Sequence, residues 1–321
     1  MNYPLVTIGV TCFNAQETIA RAITSALEQD WPNIEIVIVD DVSTDGSVAA
    51  VNAIIASDRR ARLVIHDANT GPAGARNTIL EEATGELVVF FDDDDESFPG
   101  RVREQVRVLT NFEEQTGATL VACYASGARR YPNGYLKSLP AIGSKGAAVP
   151  NGPAVADYLL IYRRKPGWFF GSGTPSCSLM ARRSTFDEAG GFDANLRRVE
   201  DTDFAIRLAL LGGHFIGTSE QLFVQYATNA ADKSPERNVE AEQRLAQKNE
   251  AYLRSIRRYY YARHWPMLRY WHFKRRYGRF GAELFGLALR NPVAVLGHLL
   301  ETGPKRMWHE RRMREPRVPS P

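Results

Sequence analysis

The sequence predicts an α/β fold, a mostly parallel sheet with helices on both faces, plus a C-terminal helical extension. Three observations carry this prediction. Short apolar runs alternate four times with helix-patterned segments over the first hundred residues, the pattern of βαβ units joined by right-handed crossovers. The runs are continuous rather than alternating, which suits strands buried on both faces. The charge also changes sign along the chain. Residues 251–321 hold 16 Lys+Arg against 4 Asp+Glu, a net of +12, within a chain whose total is only +3. An acidic body therefore precedes a basic tail, and such a tail suggests a partner bearing phosphates.

The elements follow in order. Residues 5–11 (LVTIGVT) read as the first strand. Asn14 and Glu17, three apart, make a capping box for a helix over 15–29. Residues 34–39 (IEIVIV) are the second strand, which ends in Asp40-Asp41. Asp45-Gly46 is a turn before a helix over 47–56. Residues 61–66 (ARLVIH) are the third strand, and Gly71-Pro72 opens a helix through Glu82. Residues 87–91 form the fourth strand, which runs directly into Asp92, Asp93, Asp94 and Asp95. Beyond it come a helix over about 99–111, a strand at 118–125 and a Gly-, Pro- and Ser-rich loop or hairpin at 129–153. A short strand at 175–181, a turn at 190–193 and a helix from Glu200 to about Leu211 complete the body.

The fourth strand carries the strongest chemical signal. Open α/β sheets bind ligands at the carboxyl edge, and four adjacent carboxylates there repel one another and lose hydration. A hard divalent cation, Mg²⁺ or Mn²⁺, would offset that cost with oxygen ligands. The alternative is a solvated acidic turn capping the next helix, with Ser97 and Pro99 in its first turn. A dinucleotide-binding dehydrogenase is disfavoured, because Cys12-Phe13-Asn14-Ala15 follows the first strand where a GxGxxG turn would stand. Asp41, at the end of the second strand, could read a nucleoside or form a turn with Ser43 and Asp45. Cys12, Cys123 and Cys177 have no CxxC spacing, which argues against zinc and against a disulfide framework. No signal-peptide pattern opens the chain. The apolar run 284–300 is interrupted by Arg290, Asn291, Pro292 and His298, so no transmembrane span is expected. These features together point to a reducing cytoplasm.

Five motifs then stand in order: VTIGVTCFN (6–14), VDDVSTDGS (39–47), NTGPAGARN (69–77), FFDDDDE (90–96) and GGFDANLRRVEDTDFAIR (190–207). Over about residues 4–226 the chain resembles the inverting family 2 glycosyltransferases of GT-A fold, a Rossmann-like architecture. The resemblance implies a catalytic domain over 1–235, with a nucleotide-sugar half at about 1–97 and an acceptor half at about 98–235. Residues 236–321 form the extension. It also implies roles. Asp41 binds the nucleotide base, Thr11 lines the same pocket, and Arg76 lies near the nucleotide. Asp92 sits near the ribose, and Asp94 or Asp95 holds Mn²⁺ or Mg²⁺, the register among four acids being open. Asp201 is the catalytic base. The implied donor is a nucleotide-sugar, UDP-linked, whose sugar passes to a hydroxyl by a single displacement with inversion. Read without the resemblance, Glu200 and Asp201 would simply favour a helix N-terminus. Asp203 and Arg207 would pair on that helix. Trp168 would stack on a sugar or join the core.

The tail holds 12 of the 33 aromatic residues. Phe273, Tyr277, Phe280, Leu284 and Leu287 are spaced as one helical stripe, with Arg275, Arg279 and Arg290 on the other side. That is a recipe for a helix in a membrane interface. The alternatives are packing on the body or an oligomer contact, and a homo-oligomer stays open. No nucleic-acid fold surrounds the basic residues, so nucleic acid is not expected. The expectation is thus a cytoplasmic glycosyltransferase, peripheral on the inner face of the cell membrane, acting on a lipid-linked or cell-surface glycan. Loops 129–153 and 163–176 would set its specificity. A sugar nucleotidyltransferase would need a Gly-rich basic loop after the first strand, absent from 11–16. A non-catalytic scaffold of the same fold would have no reason to keep both the acidic cluster and Asp201.

Overall fold

The computed structural model describes residues 3–227 and 234–314. Its elements are β1 (Val6–Cys12), α1 (Ile19–Leu27), β2 (Ile34–Asp40), α2 (Ser47–Ile55), β3 (Ala61–Ile65), α3 (Gly71–Glu82), β4 (Leu87–Asp92), β5 (Glu96–Ser97), α4 (Arg101–Thr116), β6 (Val121–Arg130), β7 (Leu136–Leu139), α5 (Pro153–Ile161), a 3₁₀ turn at Ser176–Ser178, β8 (Leu179–Arg182), α6 (Arg183–Ala189), α7 (Glu200–Leu210), β9 (His214–Tyr226), α8 (Pro235–Lys248), α9 (Glu250–Ser255), α10 (Tyr259–Phe273), α11 (Tyr277–Arg290) and α12 (Pro292–Arg314).

The sheet runs β3-β2-β1-β4-β8-β6-β9-β5, with β7 paired to β6. The first four strands are parallel, as the alternation predicted. β8 then reverses the direction between β4 and β6. Ile8, Val10, Ile36, Ile38, Val89 and Phe91 are buried in one core with Ile19 and Ile23 of α1 and Val102 and Leu109 of α4. On the other face α3 lies so close to β1 that a Cβ at Gly9 would meet Ile79 at 2.3 Å. That contact explains a glycine inside an otherwise apolar strand.

Several expectations change here. The capping box at Asn14 does not form. α1 starts at Ile19, its N-cap Thr18 makes no side-chain cap, and Asn14 turns at φ +50°. The Asn14 Oδ1 instead accepts from the Thr44 N–H at 2.8 Å, tying the loop after β1 to the loop after β2. β9 escapes sequence reading because its polar middle, GTSEQ, hides one long irregular strand whose register against β6 shifts twice. The strand expected at 175–181 begins only at Leu179, as β8, with a 3₁₀ turn at Ser176–Ser178 before it.

The chain divides into two compact units. One holds the residues up to Arg130, Leu136–Ala156 and Lys165–Tyr226; the other holds Tyr131–Tyr135, Asp157–Arg164 and the chain beyond Tyr226. The second unit has its own core of Leu253, Tyr261, Leu268, Leu287 and Val295. The single stripe expected in it is interrupted. α10 ends at Phe273, the chain turns at Arg275 with φ +53°, and α11 begins at Tyr277. Phe280, Leu284 and Leu287 pack inward, while Phe273 and Tyr277 are exposed. Among the described residues no helix is long and apolar enough to cross a membrane.

Candidate active site

Parallel pairing decides which residues meet at the carboxyl edge. β1 lies between β2 and β4, so Thr11 stands beside Val39 on one side and Asp92 on the other. Asp41 follows one residue past β2, its N–H bonded to the Cys12 carbonyl at 2.9 Å. The edge therefore collects Thr11, Asp41 and Asp92, three residues expected at a nucleotide site.

Asp41 is buried and crowded by donors. Its Oδ1 accepts from the Thr70 N–H at 2.8 Å and the Thr70 hydroxyl at 3.0 Å, with the His66 Nδ1 at 2.8 Å. Its Oδ2 accepts from the Gly71 N–H at 2.7 Å. Burial works to raise the Asp41 pKa, but these donors, His66 foremost, bring it below the usual carboxylate value. The expected turn role falls instead to Asp40, whose Oδ2 accepts from the Ser43 N–H at 2.8 Å.

Arg76, near the middle of α3, is 4% exposed. One guanidinium nitrogen donates to Glu200 Oε1 at 2.7 Å and the other to Asp92 Oδ1 at 3.1 Å. Burial opposes the charge on Arg76, while Asp92, Glu200 and Asp201 together hold its pKa above the ordinary value. One buried cation thus joins the end of β4 to the start of α7, and its own partner there, Glu200, lies 124 residues further along the chain.

The four acids have different surroundings. The Asp93 Oδ2 accepts from the Phe13 N–H at 2.9 Å, and Arg21 donates to the Asp94 carbonyl at 2.6 Å. Asp95 is 5% exposed, and its Oδ2 has no hydrogen-bond partner. Burial, then the neighbouring carboxylates, push Asp93 up to about 7 and Asp95 up to about 8. Behind them lies Arg101, 1% exposed, donating to the Phe90 and Cys177 carbonyls, Ser97 Oγ and Gln105 Oε1. Burial lowers its pKa to about 10.

Ligand atoms of Asp92, Asp95 and Cys177 lie within 4.8 Å of one another. Asp94 is not in that group. The unpartnered Asp95 oxygen and the carboxyl pKa values raised by burial and by one another fit a hard divalent ion, whose charge and oxygen preference would complement them. Cys177 suits such an ion poorly. Burial holds its thiol well above the ordinary value, and sulfur prefers softer metals.

Asp201 stands in the first turn of α7. Its Oδ1 accepts from the Thr202 N–H at 2.6 Å and the Thr202 hydroxyl at 3.2 Å. Burial raises its pKa, opposed by Arg76. The preceding Val199 sits at φ +60°, a left-handed conformation costly for a β-branched residue and typical of sites where geometry outranks local ease. Asp203 and Arg207 form the expected helix pair at 2.8 Å. Trp168 packs within 6.0 Å of Phe170 and carries Lys165 at 4.2 Å over its ring.

Sequence reasoning missed Glu200 as the partner of Arg76, His66 as a donor to Asp41, and Arg101 beneath the acids. It also missed Tyr124, whose buried hydroxyl has no hydrogen-bond partner and whose pKa is raised by burial first and Asp201 second. Arg101 follows the acidic cluster closely enough to have been suspected. Tyr124 sits in an ordinary apolar strand and carries no sequence signal.

The family model described as "Glycosyl transferase family 2" matches residues 7–184, more than half of the chain. A glycosyltransferase of Haemophilus influenzae is 37% identical over 128 residues, covering 40% of this chain and 51% of that one. The Escherichia coli UDP-Glc:alpha-D-GlcNAc-diphosphoundecaprenol beta-1,3-glucosyltransferase WfgD is 35% identical over 105 residues, 33% of this chain and 41% of that one. The chain thus spans about half or less of the length of these curated relatives. In structure it is similar to the mannosyltransferase PcManGT of Pyrobaculum calidifontis in complex with GDP-Man and Mn²⁺. The TM-score is 0.58 at 22% identity, over 96% of this chain and 83% of that one, which establishes the shared GT-A fold. The chain belongs to glycosyl transferase family 2.

Proposed function

We propose that this glycosyltransferase moves a sugar from a UDP-linked donor to a hydroxyl of a lipid-linked glycan, with inversion at the anomeric carbon. The observation that carries the reading is the Arg76 bridge. It ties Glu200, the residue before the base candidate Asp201, to Asp92 at the carboxyl edge of the sheet, which supports their acting at one site. On this reading residues 1–235 are the catalytic domain, and the extension 236–321 holds the enzyme at the inner face of the cytoplasmic membrane. The acceptor class is supported by the relative that acts on a diphosphoundecaprenol-linked sugar.

Each residue then has one task. Asp41, with acceptor capacity left on Oδ2, receives an N–H of the base, and Thr11 lines that pocket. Asp92 stands by the ribose, held by Arg76. Asp95, with Asp92 beside it, would hold Mn²⁺ or Mg²⁺, Asp94 being the other expected ligand, and the ion would neutralise charge on the departing diphosphate. Asp201 takes the proton of the acceptor hydroxyl as it attacks the sugar from the opposite face. Its raised pKa brings it nearer that of a competent base. No covalent intermediate forms, so an α-linked donor yields a β-linked product.

Calorimetric titration with UDP, GDP, dTDP and CDP, each with Mn²⁺ or with EDTA, tests the donor half. Metal-dependent binding of UDP that is lost in Asp94→Ala/Asp95→Ala is the expected result, and tight binding of UDP in EDTA would overturn the metal assignment. For the base, Asp201→Asn should bind UDP normally and lose transfer by roughly 10²–10⁴-fold. Full transfer by that variant would refute the assignment.

A further inference from the structure

The helical unit exposes apolar side chains in a regular order that its core does not use. On α11, Tyr277, Phe285 and Leu289 are 63%, 65% and 68% exposed; on α12, Val293, Leu296 and Leu300 are 84%, 60% and 66% exposed. A spacing of four puts Phe285 and Leu289 on one face of α11, and spacings of three and four put Val293, Leu296 and Leu300 on one face of α12, while Tyr277 is exposed at the first turn of α11. The inward faces are different residues, with Leu287 and Val295 buried and Leu284 and Leu299 packed beside them. Ordered exposed apolar faces of this kind mark a surface that meets something apolar.

A second feature adjoins them. One residue further round α11, about 100° away, lie Gly286 and Arg290, both facing Tyr260. A Cβ at Gly286 would sit 3.3 Å from the Tyr260 hydroxyl, and the Arg290 guanidinium lies 4.3 Å over the Tyr260 ring. Tyr260 in turn lines a cavity of about 590 Å³ together with Arg254, Arg257, Tyr259, Arg263 and His264. Glu250 pairs with Arg254, and Glu283 with the His264 ring at 2.5 Å. Three arginines in the cavity and Arg290 at its edge leave a cationic excess over those two carboxylates.

We infer that α11 and α12 lie in an anionic phospholipid surface, their apolar faces at the acyl boundary and a lipid phosphate in the arginine cavity. The inference deepens the membrane placement proposed above and rests on it. Of the stripe expected from sequence it keeps Tyr277, and Phe285, Leu289 and the α12 residues take the place of Phe280, Leu284 and Leu287. Charge selects the occupant. A second copy would bring one +12 segment against another, whereas anionic headgroups complement it.

The test is co-sedimentation of the full chain with phosphatidylcholine vesicles, with and without phosphatidylglycerol. Two variants accompany it, Phe285→Ser/Leu289→Ser/Leu296→Ser and Arg254→Gln/Arg257→Gln/Arg263→Gln. All these side chains lie on the surface or in the open cavity, and circular dichroism checks the fold. The expected result is binding to phosphatidylglycerol vesicles that weakens by at least about tenfold in each variant, with the arginine variant also showing a shallower salt dependence. Equal binding to both vesicle types, unchanged binding by the serine variant, or a dimer in solution that the serine variant abolishes would overturn the inference. UDP titration of the same proteins reads the catalytic proposal separately, so either can fail alone.

Discussion

Arg76 is the residue on which both halves of the site depend, and its replacement is the sharpest residue-scale prediction. Its two nitrogens hold Glu200 and Asp92 at once, a fork that a lysine cannot reproduce. Arg76→Lys and Arg76→Gln should each lower unfolding stability, the Gln variant by about 3–5 kcal/mol because two acids lose their buried partner. Denaturant titration measures this, and a loss below about 1 kcal/mol would show the acids re-solvated. The motif singled out Arg76, but nothing marked its partner Glu200, since nothing in a sequence marks a contact across 124 residues. The acids give a second prediction. Asp93 and Asp95 are raised to about 7 and about 8 in the folded chain, burial being the largest cause, against about 3.9 unfolded. For acids raised on folding, stability is full at low pH and is lost as pH rises through the folded values. Without metal the chain should therefore lose stability between about pH 4 and pH 8, and Mn²⁺ should raise Tm more at about pH 8 than at about pH 5. An equal rise at both pH values in scanning calorimetry would count against carboxylate ligation.

At the scale of elements, the parallel half of the sheet was readable because its strands are uninterrupted apolar runs between recognisable turns. The rest was read only in part: strands were expected at 118–125 and 175–181, overlapping β6 and β8, but β9 and β5 were not. β9 is split by polar residues and β5 has only two, so their pairing depends on neighbours that periodicity does not reveal. The start of α1 was misread for a related reason, since Asn14 serves a neighbouring loop rather than its own helix. Glu35 shows how one side chain can join several elements. It lies in β2 and accepts from the Thr7 hydroxyl of β1, from Arg62 of β3, and from Thr84 and Gly85 before β4. Burial tends to raise its pKa, but Thr7, Arg62 and Thr84 together bring it down to about 2. For an acid lowered on folding, the stabilisation is present above about pH 4.5 and is lost as pH falls toward 2. Glu35→Gln should cost about 1–3 kcal/mol near neutral pH and flatten the acid limb of the stability curve. If Tm against pH keeps its full acid slope in the variant, the network does not set it.

For the molecule as a whole, the two units carry opposite acid–base logic. The sheet-bearing unit holds raised acids that tolerate low pH, together with Glu35, whose support fades only as pH falls from about 4.5 toward 2. The helical unit packs a histidine whose surroundings favour its neutral form. His298 stacks on Trp265 at 3.7 Å and on Tyr162 at 4.4 Å, with its Nδ1 2.9 Å from the Tyr261 hydroxyl. Burial first, and Arg269 second, push its pKa down to about 3. A base lowered on folding stabilises fully above its unfolded value of about 6.5 and progressively less as pH falls below it. The slope is at most about 1.4 kcal/mol per pH unit, reached well below 6.5. Hydrogen exchange should therefore show residues 234–314 losing protection between about pH 7 and pH 5, after correction for intrinsic rates, while β1, β2 and β4 stay protected. His298→Gln, which cannot take the proton, should remove that pH dependence even if it lowers stability throughout. Simultaneous loss of protection in both units, or an unchanged pH response in the variant, would mean that another group governs acid unfolding. With the expected outcome, vesicle binding by the helical unit should weaken in acid while UDP affinity of the catalytic unit does not follow it. Measuring both on one sample separates the stability of the two units without cutting the chain.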